Sequence, residues 1–589
     1  MFGTDWPGPR NLPFPSELSS SAPFELLLAL ISKAIGGEAA GKLLLLAILF
    51  GAAFTSYSAA PATSFIPKAA AAAIYSVNPF VFGRLHYGQW FLLAGYAVLP
   101  WCLARIRKVL EQPHSINAVW AALSLALVGA LAIHLTLVGL LIWASLFLSY
   151  FVCAGAGRMA YLRRQLPSLA VAAVCLFAAT AYWTIPILAG SGSEASVISS
   201  TSAGDLAAYS AIPDPQLGLV TNLLGLYGFW AEATGRFTSM KSFVPGWPAI
   251  LAGSGSEASV ISNTSAADLA AYSAIPDPQL GLVPNLLGLY GFWAEATGRF
   301  TSMKSFVPIW PAFLAVILVG CGVGIVAAVR QNKGLRPLAI GLALAALAAL
   351  VLEMGVSSPV TAPIVSWLDS HLTIYRGMRD AGKWAAMLAL IYSQLASMGA
   401  EAMATRLRVL KRPRLPTEWV AAVLSAVVLA VPLYYGNGLL FGMHGEIKPS
   451  SYPSGWYAAD AALSSDPRPG RTLFLPWHEY MSYSFVRNQN SVVAPPAPMF
   501  FSVPILRSMN PEVPGVEGPV TRDQATVDGL VAAGANAQWA PDLASLGVKY
   551  VLLAHELDWG SFKYLDSQTS MVKVRDFGPI TMYRNLLVP

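Results

Sequence analysis

The chain has 589 residues, of which 55% are hydrophobic and only 12% charged, with a formal net charge of +6. An ordinary soluble domain carries about 25% charged residues, so this chain has too little charge to cover the outside of a water-soluble fold of its size. The basic residues sit in short clusters between apolar runs, which reads as membrane topology and not as nucleic-acid binding.

The N-terminal stretch 1–40 is rich in Gly, Pro and Ser, with a short apolar piece at 24–36 that is too short to span and fits the membrane interface. Ten apolar stretches follow, at 41–58, 68–83, 87–104, 116–133, 135–152, 166–188, 309–329, 336–353, 383–404 and 418–435. Each is near the roughly 17–25 residues needed to cross a bilayer. The stretch at 68–83 is the shortest, and a re-entrant segment is its alternative. The region 41–435 is therefore expected to be a helical membrane bundle.

Basic clusters follow every second span: Arg105, Arg107 and Lys108; Arg158, Arg163 and Arg164; Arg330, Lys333 and Arg336; then Arg406, Arg408, Lys411, Arg412 and Arg414. The positive-inside rule puts all four clusters in the cytoplasm. The loop 189–308 and the tail 436–589 are then extracytoplasmic, in a multi-pass protein of the plasma membrane. Residues 1–40 fall outside by the same count although no span precedes them, so a first transmembrane helix is expected upstream of Met1.

Within the large loop, residues 188–250 recur as 251–313, differing at Asn263, Ala267, Pro284, Ile309 and Phe313. Solenoid repeats diverge more and come in larger numbers. A tandem duplication in a loop that tolerates insertion is the reading, with two matched binding lobes as the alternative. NLLGLYGFWAEATGRF, present in both copies, is amphipathic and suits an interfacial helix anchored by Tyr227, Trp230, Tyr290 and Trp293.

After Tyr435 the long apolar runs stop. RTLFLPW (471–477) and KYVLLA (549–554) read as buried strands, 527–534 and 540–547 as short helices, and 572–585 as a terminal hairpin turning near Gly578-Pro579. The fold class is therefore mainly α, a polytopic helical bundle, with a small C-terminal α/β domain. The segment PWHEYMSYSF gathers Trp477, His478 and Glu479 among aromatics. It is open to two readings, a glycan-binding surface or a loop closing onto the sheet. Cys102, Cys153, Cys175 and Cys321 lie in or beside apolar runs and read as packed thiols.

Ionisable groups at membrane depth are costly, so they are functional candidates by default. NPFVFGRLHYGQW offers Asn78, Arg84, His86 and Gln89 between the second and third spans, where the alternative is an aromatic belt with a snorkelling arginine. His134 lies between the fourth and fifth spans, and a hydrogen-bonded core histidine is its alternative. YRGMRDAGKW places Arg376, Arg379, Asp380 and Lys383 before the ninth span, against the cytoplasmic bias of the other cations. Arginine forks and a lysine in that place suit an anionic lipid phosphate.

These segments, NPFVFGRLHYGQWFLLAGYAVLPW, NLLGLYGFW, RGMRDAGKW, LFLPWHEY and LGVKYVLLA, together resemble bacterial and archaeal GT-C-type membrane glycosyltransferases. Among characterised families they are similar to the N-terminal membrane region of the actinobacterial cell-wall arabinofuranosyltransferases. The resemblance implies transfer of a sugar from a polyprenyl-phosphate donor to a glycan or glycolipid acceptor at the outer face, near a divalent cation (Mg or Mn). By match to the motif, Arg376, Arg379 and Lys383 would bind the donor phosphate. Arg84 and His86 would line the same cavity, together with Asn78, Gln89, His134 and Asp380. The family's general base is a carboxylate in the first outer loop. Asp5 is the Asp left in that loop here, and the departure puts the base in doubt. A non-catalytic protein that binds lipid-linked glycans is the second reading. A transporter of a lipid-linked precursor is the third, but it should show inverted repeats and charges near mid-membrane.

Overall fold

A computed structural model describes residues 20–86, 88–188, 282–290, 310–355, 358, 360–372, 375, 378, 380–409, 430–434, 436–439, 443–445, 448–467, 470–487, 492–509 and 522–589. The first copy of the duplicated loop, the stretch 1–19 and most of the span expected at 418–435 lie outside these residues. The chain divides into two units. One is Leu45–Pro186 with Ala203–His444, and the other is Met1–Leu44, Ile187–Ser202 and Gly445–Pro589.

The apolar runs form helices α1 (Ala22–Ile35), α2 (Gly37–Ala59), α3 (Phe65–Ser76), α4 (Pro79–His86), α5 (Trp90–Glu111), α6 (Ser115–Leu131), α7 (Ile133–Cys153) and α8 (Arg158–Leu188). Then come α9 (Leu282–Leu287), α10 (Trp310–Gln331), α11 (Arg336–Met354), α12 (Ala362–His371) and α13 (Ala385–Val409). Among the described residues, six helical stretches are long and apolar enough to cross a membrane: Gly37–Ala59, Phe65–Leu85, Ile133–Cys153, Gly155–Ile185, Pro311–Gln331 and Arg336–Met354. The first unit is thus the core of a multi-pass membrane bundle. Helix α6 is apolar but shorter, while α5 and α13 have ample length and a more polar composition. Large apolar side chains point outward; Phe54, for example, is 71% exposed. Such a surface is stable when lipid covers it.

Helix α13 is the axis of this unit. Ala386 to Ile391 are fully buried, because α3, α10 and α11 all pack against it. The closest approach is between α10 and α13. A Cβ on Gly324 would lie 2.2 Å from the Leu395 carbonyl oxygen, and one on Gly399 would lie 2.0 Å from that of Gly320. Small residues at four-residue spacing allow two membrane helices to meet backbone to backbone. All four cysteines are free thiols, with Cys102 and Cys321 buried.

The run expected at 68–83 is broken into α3 and α4. Asn78 makes the break, since its Nδ2 donates to the carbonyls of Ile74 (3.0 Å) and Tyr75 (2.8 Å), and its Oδ1 accepts the Val81 amide (3.0 Å). One side chain thus satisfies carbonyls at the end of α3 and an amide at the start of α4. Pro79 begins α4, where its missing N–H costs nothing. Tyr75 and Tyr96 stack at 4.0 Å beside the break, and each hydroxyl donates to the other's carbonyl.

The C-terminal domain has strands β1 (Arg471–Leu475), β2 (Met481–Ser482), β3 (Val492–Val493), β4 (Ile505–Leu506), β5 (Val548–Ala554), β6 (Met571–Asp576) and β7 (Ile580–Asn585). Five form one mixed sheet in the order β4-β1-β5-β7-β6, parallel at β4-β1-β5 and antiparallel at β5-β7-β6. β5 is buried at all seven positions. Val548, Val551 and Leu553 pack with Trp539 and Leu543 on one face, while Tyr550, Leu552 and Ala554 pack with Trp456 and Phe500 on the other. A strand covered on both faces reads as a continuous apolar run, which is why KYVLLA is legible as a strand.

Candidate functional site

The break at Asn78 aims the short helix α4 so that Arg84, near its end, is fully buried. The guanidinium meets the Asp380 carboxylate with both terminal nitrogens, Nη1 to Oδ2 at 2.5 Å and Nη2 to Oδ1 at 3.2 Å. Nη1 also donates to Oε1 of Gln89 at 2.8 Å, just ahead of α5. The Phe80 ring covers the guanidinium at 5.4 Å. Asp380 ends the segment leading to a 3-10 turn, Ala381–Trp384, that runs straight into α13. Lys383 lies in that turn and is 9% exposed.

A third element closes on this pair. Glu353, one residue from the end of α11, is fully buried, and neither carboxyl oxygen has a hydrogen-bond partner among the described residues. It lies within electrostatic reach of Arg84 and Asp380. The indole N–H of Trp384 is also buried without a partner among the described residues. Buried polar groups without partners are expensive, so the end of the bundle where α4, α11 and α13 converge is shaped for something besides packing. Sequence reasoning missed Glu353. Its signal is a lone acid in an apolar run, LALAALAALVLEM, where an ionisable group is as costly as a lone histidine.

The structure therefore gathers Arg84, Gln89, Asp380 and Lys383 in one region. Asn78 is spent on the helix break. His86 is the last residue of α4, and His134 lies half-buried in the first turn of α7. Asp5, Arg376 and Arg379 lie outside the described residues. Tyr290, expected as an interfacial anchor, is instead fully buried after α9, which packs on α11.

In the C-terminal domain, Trp477 is in the sheet's core and its indole N–H donates to Asp528 at 2.7 Å. His478 Nε2 lies 3.1 Å from Asp558 Oδ1, and Glu479 is half-buried beside it. The neighbouring Glu556 carboxylate accepts the Ser484 amide and hydroxyl at 2.9 and 2.7 Å.

No group of three His, Cys, Asp or Glu side chains among the described residues is arranged to hold a metal ion. Asp380 does not suit one either, because it gives both oxygens to the Arg84 guanidinium, whose charge repels a cation.

Fold and site together define a multi-pass membrane protein with a small C-terminal α/β domain. No protein-family model matches the chain, and no curated protein matches it. Among solved structures it is similar to the arabinofuranosyltransferase AftD from mycobacteria, at 14% identity and a TM-score of 0.48 over 95% of this chain. A point mutant of AftD matches at 13% identity and a TM-score of 0.50, again over 95% of this chain. The chain spans about a third of those proteins, 35% and 36% of their lengths. At this identity the likeness is one of fold.

Proposed function

We propose that this chain is a membrane glycosyltransferase. It takes a sugar from a polyprenyl-phosphate donor at the outer face of the plasma membrane and transfers it to a cell-envelope glycan or glycolipid. The observation that carries the reading is the buried Arg84–Asp380 pair with Lys383 in the next turn, at one end of a helical bundle, on a fold shared with an arabinofuranosyltransferase. In the transfer, the acceptor oxygen attacks the sugar's anomeric carbon, the bond from that carbon to the phosphate oxygen breaks, and the acceptor proton passes to a carboxylate. The lipid phosphate leaves with added negative charge.

Preorganised cations in a water-poor site stabilise such charge far better than they would in water. Asp380 and Gln89 hold the Arg84 guanidinium in one orientation, so Arg84 positions the start of the turn that carries Lys383. Lys383, with Arg376 and Arg379 before it, supplies the phosphate grip, and Asp5 is the proposed base.

The test is transfer of radiolabelled sugar from synthetic polyprenyl-phosphate donors to envelope extracts by the full chain in proteoliposomes. Transfer that falls at least tenfold in Lys383→Gln, with donor KM raised, supports the reading. Donor binding with no transfer under any condition would replace it with that of a glycan-binding protein.

A further inference from the structure

A second built site lies at the opposite end of α13 from Lys383. From Ala385 to Arg406 the helix runs ~30 Å at about 1.5 Å per residue, close to the thickness of a bilayer's hydrocarbon core. There a cavity of about 560 Å³ opens between α10, α13 and the turn joining α2 to α3. Gly324, Ala327, Ala328 and Gln331 line it from α10, and Met398, Glu401, Ala402 and Thr405 from α13. Both sets follow the three- and four-residue spacing of a single helix face. The cavity exists because of the glycine crossing. Helices that touch backbone to backbone at Gly320, Gly324 and Gly399 must diverge on either side of the contact.

The third wall is fixed by Glu401. Its carboxylate accepts the amides of Thr63 and Ser64 at 3.2 and 2.9 Å and both of their hydroxyls at 2.9 Å. That carboxylate is therefore committed to the α2–α3 turn. Arg406, at the rim, is exposed and has no partner among the described residues. An adjoining apolar cavity of about 290 Å³ shares Ala327, Ala402 and Arg406 and continues along Val326, Val323, Gly322 and Val319. From Val319 to Gln331 is ~18 Å of helix, a little over half the hydrocarbon core. Arg330, Lys333 and Arg336 belong to the same end of the bundle.

A largely apolar pocket with Gln331, Thr405 and the uncommitted cation of Arg406 on its wall, opening into an apolar trough as long as one leaflet is deep, matches a ligand with an anionic head and an apolar tail. We infer that this groove binds an anionic phospholipid, with the phosphate on Arg406 among Gln331 and Thr405 and an acyl chain along Gly322 and Val326 of α10. Basic pockets between membrane helices hold anionic headgroups by this combination of charge and depth. The inference does not depend on the proposed enzymatic activity.

The test is lipid retention by the full chain, purified from vesicles of equal phosphatidylglycerol and phosphatidylcholine and read by native mass spectrometry. At least threefold preference for phosphatidylglycerol is expected. Arg406→Gln, which removes the charge, and Val323→Trp, which fills the trough, should each abolish it while the protein stays monodisperse. Arg330→Gln, a basic residue of the same end outside the groove, should leave it intact. Equal retention of the two lipids would overturn the inference, as would an equal loss in Arg330→Gln, which would mean diffuse surface attraction. A disulfide forming between Val323→Cys and Val423→Cys, the latter in the apolar stretch at 418–435, in a chain stripped of its native cysteines would also overturn it, because the chain itself would then fill the trough.

Discussion

Arg84 and Asp380 lie 296 residues apart in sequence and meet as a two-nitrogen, two-oxygen pair with almost no exposure to solvent. Desolvation consumes much of what such a pair gains, so the pair itself adds little to stability, but breaking it strands a buried charge. Asp380→Asn should therefore destabilise the protein by about 3–5 kcal/mol, seen as a clear drop in melting temperature in detergent. Arg84→Met with Asp380→Leu should recover most of that loss while leaving glycosyl transfer abolished. If the double variant melts as low as the single one, the pair is needed for the fold itself.

Glu353 calls for the reverse experiment. A fully buried carboxyl without a hydrogen-bond partner among the described residues costs stability. Replacing a costly buried polar group with an apolar one of similar volume is often neutral or favourable. Glu353→Leu should melt at the same temperature as the parent or a few degrees higher, with transfer activity reduced at least tenfold. A drop in melting temperature would mean the carboxyl serves the packing around Arg84, and unchanged activity would remove it from the site.

The sequence shows the material of this site more readily than its arrangement. Arg84 and Asp380 stand out as charges where charges are costly, and the strand KYVLLA stands out by its unbroken apolarity. That Arg84 and Asp380 pair with each other does not stand out, because pairing across 296 residues is set by how α4 and the turn before α13 are aimed. That aim depends on Asn78, whose amide reads as a site residue in sequence and turns out to cap two helices. Trp477 is a similar case. As an aromatic among polar neighbours it suggests a sugar platform, yet it follows β1 closely enough to stay in the core. Tyr290 reads as an interfacial anchor in sequence and is fully buried in the fold, just after a helix that packs on the distant α11.

The glycine crossing makes a prediction about packing alone. A Cβ at Gly399 would lie 2.0 Å from the Gly320 carbonyl oxygen, which is backbone and cannot rotate aside. Gly399→Ala must therefore push α10 from α13, at a cost of about 1–3 kcal/mol, the usual range for overpacking. Gly322→Ala, on the same helix but with open space around it, should change stability little and serves as the control. Thermal unfolding in one detergent measures both, and equal effects would mean that α10 and α13 are not held by this contact.

Alkaline pH should weaken the C-terminal domain through two of its phenols. The Tyr550 hydroxyl donates to Asp466 Oδ2 at 2.6 Å, and Lys549 Nζ lies 2.8 Å from the same oxygen. Burial first, and then the hydrogen bond and charge of Asp466, push the Tyr550 phenol up to about 12 from its usual 10.0. A folded-state pKa above the unfolded value means the folded form holds its proton more tightly. The stabilisation is complete below pH ~10 and is lost as pH rises through about 12. Tyr564, also raised to about 12, adds to the same decline. Denaturant unfolding of the full chain, followed by tryptophan fluorescence from pH 8 to pH 12, should show stability falling across the upper half of that range. Tyr550→Phe should start lower by about 1 kcal/mol, for one lost hydrogen bond, and fall less steeply. A parallel decline in the two proteins would mean that the phenol titrates in the folded domain as it does in the unfolded chain.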